Sequence, residues 1–306
     1  MYRLWKGFWL IADPKIWVAS TVPMLVGTAL AYSVTGRFNL YWFIISIIGL
    51  YFIEIGKTAA NDLVDYVSGV DLAVMPQNRT PFSGGRNRVI VDGHLSFGEA
   101  MLIASVTLII GGIFGIYISL YHEPMIFWIG TSGLFLALAY SLPPFKLSYR
   151  GLGEIAVGVA FGPLIVSGAF VVQAHFLTFE VFLVSLPIGL LVANILFINQ
   201  YPDYEADLLC SKRNWVVRLG KTKGLRVYIL LFALSYISII LLFIYTKNPF
   251  WLLSFISLPS VHHAVRVASS SYDDIPNFIT ANINTLRTYQ LTGAAMVLSA
   301  VLERFI

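Results

Sequence analysis

Two stretches concentrate the residues able to do chemistry, "NDLVDYVSGVD" at Asn61–Asp71 and "NQYPDYEAD" at Asn199–Asp207. On a helix of 3.6 residues per turn, Asn199, Asp203 and Asp207 recur every fourth position and drift only about 40° per step, so they share one face. Asn61 and Asp65 stand four apart as well, with Asp62 beside them and Asp71 closing the stretch. Each segment thus presents an amide followed by carboxylates along a stripe. Amide and carboxylate oxygens are hard ligands that suit Mg²⁺, which takes one or two carboxylates and completes its shell with water and phosphate oxygens. Histidine and cysteine are absent from both stretches, which argues against zinc. Bare carboxylates would repel one another, and two such stripes facing each other would hold metal ions around a diphosphate.

The elements that must position these stripes are membrane spans. The chain has 306 residues, of which 58% are hydrophobic and 12% charged; soluble domains average roughly 45–50% apolar and 25% charged. Apolar runs near the ~20 residues needed to cross a bilayer fall at Ile16–Tyr32, Leu40–Ala60, Ala100–Leu120, Met125–Leu142, Ile155–Val172, Val181–Ile198, Tyr228–Tyr245, Phe250–Ala268 and Leu286–Val301. The expectation is an all-α polytopic membrane protein with nine transmembrane helices in one bundle. The first run is read as a retained span rather than a removed leader.

With the N-terminus in the cytoplasm, 17 of the 20 Lys and Arg fall on that side, leaving Arg37, Lys247 and Arg304 opposite. Of the 16 acids, only Glu123, Glu180 and Glu303 fall outside. This asymmetry predicts a multi-pass plasma-membrane protein whose acid stripes face the cytoplasm. Long cytoplasmic loops follow the second and sixth helices and would cap the stripes. Asp62 and Asp203 lie 141 residues apart, close to half the chain. One domain spanning 1–306 is expected, in two pseudo-equivalent halves of roughly 1–142 and 143–306. No basic run resembles a nucleic-acid footprint, and the single cysteine, Cys210, excludes an internal disulfide framework.

A lone Asp at a helix end is ordinarily a solvated loop charge. Two matched stripes on one membrane side are another matter, because acids at membrane depth are costly and mark function by default. The pair resembles the Asp-rich motifs of UbiA-type intramembrane prenyltransferases, most closely their naphthoate (menaquinone-pathway) branch. "YSLPPFKLSYRGLGE" at Tyr140–Glu154 and "VVRLG" at Val216–Gly220 extend the likeness over essentially the whole chain. Ser211 and Asn214 depart from the Gly and Thr common in that branch.

The resemblance implies transfer of an isoprenyl chain from an allylic diphosphate to an acceptor, usually aromatic, with two or more Mg²⁺ ions held by both motifs. Asn61, Asp62, Asp65, Asn199, Asp203 and Asp207 match the metal-diphosphate residues, and Asp71 matches the third acid of the first motif. The partners implied are an isoprenyl diphosphate donor, a small aromatic or lipid-like acceptor and the bilayer, with no nucleic acid. An archaeal ether-lipid enzyme, prenylating geranylgeranylglyceryl phosphate, is the alternative within the family.

Lys57, Lys146, Lys212 and Arg213 are candidates for neutralising the diphosphate, each also explicable as a topology marker. Tyr140, Tyr66 and Tyr201 could face an allyl cation with their rings, while Arg79, Arg86 and Arg88 could order the loop over the site. Gly56, Gly111, Gly112, Gly115, Gly158, Gly162 and Gly168 either leave a greasy channel or simply let helices pack closely. Pro202 is expected to kink the sixth helix. His262 and His263 read as a buried pair or a helix end, and His94, His122 and His175 as isolated.

Two rivals come from other classes. An ion-coupled transporter would place acids near the midplane on discontinuous helices, whereas these acids lie at helix ends on one side. Lipid alcohol phosphotransferases use a single compact Asp run, which "NDLVDYVSGVD" does not match.

Overall fold

A computed structural model describes residues 2–83 and 88–305, and every regular element among them is helical. Arg86, one of the loop arginines singled out above, lies outside the described residues. The first apolar run begins earlier than expected: α1 (Tyr2–Ala12) turns at Asp13 through a 3₁₀ segment, Pro14–Trp17, into α2 (Val18–Thr35). Asp13 sits in the left-handed region at φ 42° and Pro14 starts the new helix, so the break is local in origin.

The next helix, α3 (Leu40–Ser68), does not stop where apolarity stops. It carries on for two turns through Asn61, Asp62 and Asp65 until Gly69, whose φ of 80° caps it as only glycine does cheaply. A four-residue turn of helix, α4 (Val70–Ala73), then brings Asp71 back toward the bundle and packs on a later helix. After the loop come α5 (Phe97–Tyr121), opened by a Ser96/Glu99 capping box, and the shorter α6 (Met125–Ser141).

The fifth run is split. α7 (Gly153–Val159) passes through a π-helical turn, Ala160–Leu164, into α8 (Ile165–Ala174). Pro163 has no N–H to donate to the ordinary ladder, which accounts for the register change. By contrast α9 (Phe179–Leu209) contains Pro187 and Pro202 yet is one continuous helix, so Pro202 does not end it. Like α3, it extends beyond its apolar run to carry Asn199, Asp203 and Asp207.

The last quarter holds α10 (Trp215–Leu219), α11 (Lys221–Thr246), a 3₁₀ segment Pro249–Ser257 leading into α12 (Leu258–Ser271), and α13 (Ile275–Glu303). Each of the nine apolar runs therefore lies in helix among the described residues. Six helical stretches are long and apolar enough to cross a membrane by length and composition: Tyr2–Thr35, Leu40–Ser68, Phe97–Tyr121, Gly153–Ala174, Phe179–Leu209 and Lys221–Thr246. Met125–Ser141 is apolar but short. α13 is long enough but misses on composition, and its polar Asn282, Thr285 and Thr288 are buried inside the bundle.

The main core joins α2, α8, α9, α11, α12 and α13 around Phe170, Phe197, Tyr228, Trp251 and Phe278, all fully buried. One helix crossing, of the α7 and π-turn stretch with α9, depends on glycine from both sides. A Cβ on Gly162 would meet Ser185 O at 2.7 Å, and one on Gly189 would collide with Gly158 O. At the end remote from the acid stripes, His122 and His175 prove not to be isolated. Their ring centroids lie 4.7 Å apart, and His175 Nδ1 is 2.8 Å from Glu123 Oε2. His262 and His263 are exposed on α12 rather than buried.

Candidate active site

The ends of α3 and α9 bring both acid stripes to one mouth. Asn61, Asp62, Asp65, Asp71, Asn199, Asp203 and Asp207 all line a single cavity of about 590 Å³. Its remaining depth is apolar, walled by Leu50, Ile53 and Phe114 on one side and Ile129, Leu134 and Leu164 on the other. The result is a polar mouth on a long greasy interior.

Asp65 is the hub of the mouth. It is buried, and its Oδ1 accepts from the Tyr149 hydroxyl at 2.8 Å. Its Oδ2 accepts from Lys212 Nζ at 2.9 Å and from Asn61 Nδ2 at 3.0 Å. Asn61 is held in turn, since its Oδ1 accepts from Ser141 Oγ at 2.7 Å. On the facing helix, Asp207 Oδ2 accepts from Asn214 Nδ2 at 2.6 Å, and Asn199 Oδ1 accepts from Asn282 Nδ2 at 2.7 Å. Lys212 Nζ also stands 3.9 Å from Asp207 Oδ1, so one ammonium bridges the two motifs.

The electrostatics follow from this crowding. Burial first, and then the negative charge of Asp65, push the Asp71 carboxyl up to about 7. Burial works to lower the Lys212 pKa, but the charges of Asp65 and Asp207 more than reverse it and hold the ammonium well above its ordinary value.

A divalent cation fits this donor set. Every candidate ligand is an oxygen, the buried Asp207 Oδ1 accepts no hydrogen bond, and one lysine is the nearest compensation for the hub. Among the described residues no three His, Cys, Asp or Glu side chains form a ready-made cage. Mg²⁺, which retains waters and leans on phosphate oxygens, does not require such a cage.

The other expected residues divide. Lys57 and Tyr140 line the cavity, Lys57 with its Nζ 2.9 Å from the buried Glu54 and 4.9 Å from the centre of the Phe161 ring. Lys146 lies outside the lining, over the Tyr149 ring at 5.0 Å, and Arg213 is exposed, its backbone N–H donating to Tyr149 O. Tyr66 packs near Phe97, and the hydroxyl of buried Tyr201 donates to Lys221 O, so neither ring faces the cavity. Arg88 lines it, with Nη1 donating to Asp71 O at 3.2 Å, and so fastens the loop after α4 to the mouth.

Tyr149, Asn214, Ser141 and Asn282 were not foreseen as supports of the cluster. Asn214 departs from the family pattern, and Asn282 sits within a segment carrying no motif. A polar residue in an otherwise spanning segment was the available signal.

Of the glycines, Gly56, Gly111, Gly158 and Gly162 meet neighbouring helices at distances that leave no room for a Cβ to settle freely. A Cβ on Gly112 or Gly115 would meet nothing within 4 Å, and both line the cavity. Gly111 does both, packing closely and lining the cavity, whereas Gly112 and Gly115 leave open space there.

Comparison with known proteins agrees with this geometry. The 2-carboxy-1,4-naphthoquinone phytyltransferase of Synechocystis sp. is 29% identical over 78% of this chain and 73% of its own length. The 1,4-dihydroxy-2-naphthoate octaprenyltransferase of Bacillus subtilis is 25% identical over 97% of this chain and 93% of its own. A solved UbiA homolog from Archaeoglobus fulgidus bound to DMAPP and Mg²⁺ shares the fold, with a TM-score of 0.71 at 15% identity over 98% of this chain and 99% of that one. The model of the UbiA prenyltransferase family matches residues 20–285, and this protein is a member of that family.

Proposed function

We propose that this protein transfers an isoprenyl chain from an allylic diphosphate to an aromatic acceptor of the 1,4-dihydroxy-2-naphthoate type, in quinone biosynthesis. The observation that carries the reading is the union of seven hard-oxygen side chains, from two distant motifs, at the mouth of one apolar cavity. A diphosphate belongs at that mouth and its hydrocarbon tail in the interior. The names of the relatives support the naphthoate class of acceptor.

Asp62, Asp65, Asp203 and Asp207, with Asn61, Asn199 and Asp71, would hold two or more Mg²⁺ ions. Bound there, Mg²⁺ supplies Lewis-acid neutralisation of the diphosphate. Lys212 and Lys57 add preorganised positive charge at the same mouth, and Lys146 and Arg213 would act from its rim. The allylic C–O bond breaks with its electron pair leaving on the diphosphate. The apolar walls keep water from the resulting allyl cation, and the Tyr140 and Phe161 rings line the same space. An acceptor carbon then bonds to the allylic carbon, and its proton passes to an anionic oxygen of the cluster or of the released diphosphate.

The topology belongs to the same proposal. The chain forms one domain of nine spans in two pseudo-equivalent halves, with the N-terminus and the mouth on the cytoplasmic face of the plasma membrane. Both halves supply the lining, which is what two facing motifs require.

The deciding experiment is turnover of radiolabelled geranylgeranyl diphosphate by the purified protein with Mg²⁺ or EDTA. The acceptors are dihydroxynaphthoate, hydroxybenzoate and geranylgeranylglyceryl phosphate. A Mg²⁺-dependent product on dihydroxynaphthoate is expected. Product on the glyceryl phosphate would replace the acceptor assignment with the ether-lipid one. Failure to bind the donor at all would return ion-coupled transport to the front.

A further inference from the structure

A second polar feature lies away from the cavity, in a groove between α12 and α13. Ser260 and His263 contribute from α12, Asn284 and Arg287 from α13, with Ile256 and Leu291 at the other end. The spacings fit a groove: 260 and 263 share a face of α12, 256 lies in the 3₁₀ segment leading into it, and 284, 287 and 291 share a face of α13.

Depth can be read from a contact already described. Asn282 donates to Asn199 and so lies level with the carboxylate mouth. Arg287 is five residues further along α13, about 7.5 Å deeper at 1.5 Å per residue. Both Arg287 and His263 are exposed on the outside of the bundle. Neither has a hydrogen bond or ion pair among the described residues, and no Asp or Glu lines the groove. An exposed, uncompensated arginine at this depth is costly unless an anion meets it or its long stem lifts the guanidinium toward the interface.

The groove is also graded along its length. Ser260, His263, Asn284 and Arg287 occupy the end nearer the level of the mouth, and Ile256 and Leu291 the deeper end. This is the polarity of an amphiphile standing in the leaflet, with its headgroup toward the mouth's side.

We propose that the groove binds an anionic phospholipid of the leaflet on the same side as the carboxylate mouth. Arg287 offers paired N–H donors to the headgroup phosphate, His263 and Ser260 add donors from α12, and an acyl chain lies along Ile256 and Leu291. The proposal rests on the reading that α12 and α13 stand in the membrane. It does not depend on prenyl transfer.

Native mass spectrometry of the full chain in detergent tests it, with phosphatidylglycerol or phosphatidylcholine added at equal concentration. Phosphatidylglycerol adducts are expected to outnumber phosphatidylcholine adducts at least fivefold. The pair Arg287→Ala with His263→Ala should abolish that preference without lowering the melting temperature, since both side chains are exposed. Arg266→Ala, which removes an exposed cation of α12 outside the groove, should retain it. Equal retention of the two lipids by the unaltered protein, or a preference that survives the double substitution, overturns the proposal. Displacement by sn-glycerol 3-phosphate at the lipid's own concentration overturns it too, because the affinity would then reside in phosphate alone. Prenyl-transfer turnover is measured on the same samples. Absence of turnover with the lipid preference intact defeats the proposed function and leaves the lipid site standing.

Discussion

Lys212 Nζ lies 2.9 Å from Asp65 Oδ2, joining residues 147 positions apart in the chain. Asp65 ends a stripe on α3, and Lys212 follows the stripe on α9, so this ion pair closes the two motifs on each other. The Lys212 side chain is only 15% exposed, and the Asp65 side chain 4%. The attraction therefore operates away from bulk water, and the ammonium occupies charge space that a divalent cation would share.

That relationship predicts opposite effects of one substitution. Lys212→Ala should strengthen Mn²⁺ binding in the absence of donor, measured by electron paramagnetic resonance, because a competitor for Asp65 is gone. The same change should weaken donor diphosphate binding roughly 10- to 100-fold, the range expected for losing one charged hydrogen bond of about 1.5–3 kcal/mol. Weaker Mn²⁺ binding in the variant would refute Lys212 as a competitor.

Removing the carboxylates singly tests the metal reading directly. Asp65→Asn and Asp207→Asn keep shape but remove charge, and kcat should fall about 10²–10³-fold, the usual loss for one preorganised electrostatic group. EDTA should abolish turnover of the unaltered protein, and added Mg²⁺ should restore it. A variant retaining more than a tenth of the activity would remove that residue from the metal set.

Asn282 and Tyr149 are expected to act through the residues they hold. Asn282→Ala frees Asn199 Oδ1 from its 2.7 Å donor, and Tyr149→Phe frees Asp65 Oδ1 from its 2.8 Å donor. Partners of this kind typically account for 10- to 100-fold in metal affinity. Each variant should therefore raise the Mg²⁺ concentration needed for half-maximal turnover by about tenfold, with kcat at saturating Mg²⁺ largely kept. Loss of kcat with an unchanged Mg²⁺ requirement would point to a different role.

What the sequence disclosed depended on periodicity. The four-residue spacing of Asn199, Asp203 and Asp207 places them on one helix face whatever surrounds them, so the stripes were legible before any tertiary contact was known. Apolarity marked where each span runs, but it could not mark helix ends: α3 and α9 continue through the acids because hydrogen bonding, not hydropathy, sustains a helix. The supports were hidden for another reason. Asn282 reaches Asn199 across 83 residues and Tyr149 reaches Asp65 across 84, and no local pattern encodes a pairing of that range. The basic candidates show the same limit. The family-like loop favours Lys146 over Lys212, yet it is Lys212 that the fold turns into the cavity, while Lys146 lies outside the lining over the Tyr149 ring.

The glycines separate stability from donor selection. Gly189→Ala should lower the melting temperature by several degrees, because its Cβ would strike Gly158 O at a backbone crossing that cannot yield as a side chain would. Gly112→Phe and Gly133→Phe should lower it less, since a Cβ at either position meets nothing within 4 Å and no backbone crossing is struck. Both of these glycines line the apolar depth of the cavity, so the added rings take up space meant for hydrocarbon. Each methylene displaced from such a pocket changes discrimination by about 1–3 kcal/mol. Turnover with a long donor such as geranylgeranyl diphosphate should fall at least about tenfold relative to dimethylallyl diphosphate, whose short chain stays near the mouth. An equal loss with both donors would mean that the rings disturb the mouth itself, and the hydrocarbon would then have to lie along a different wall.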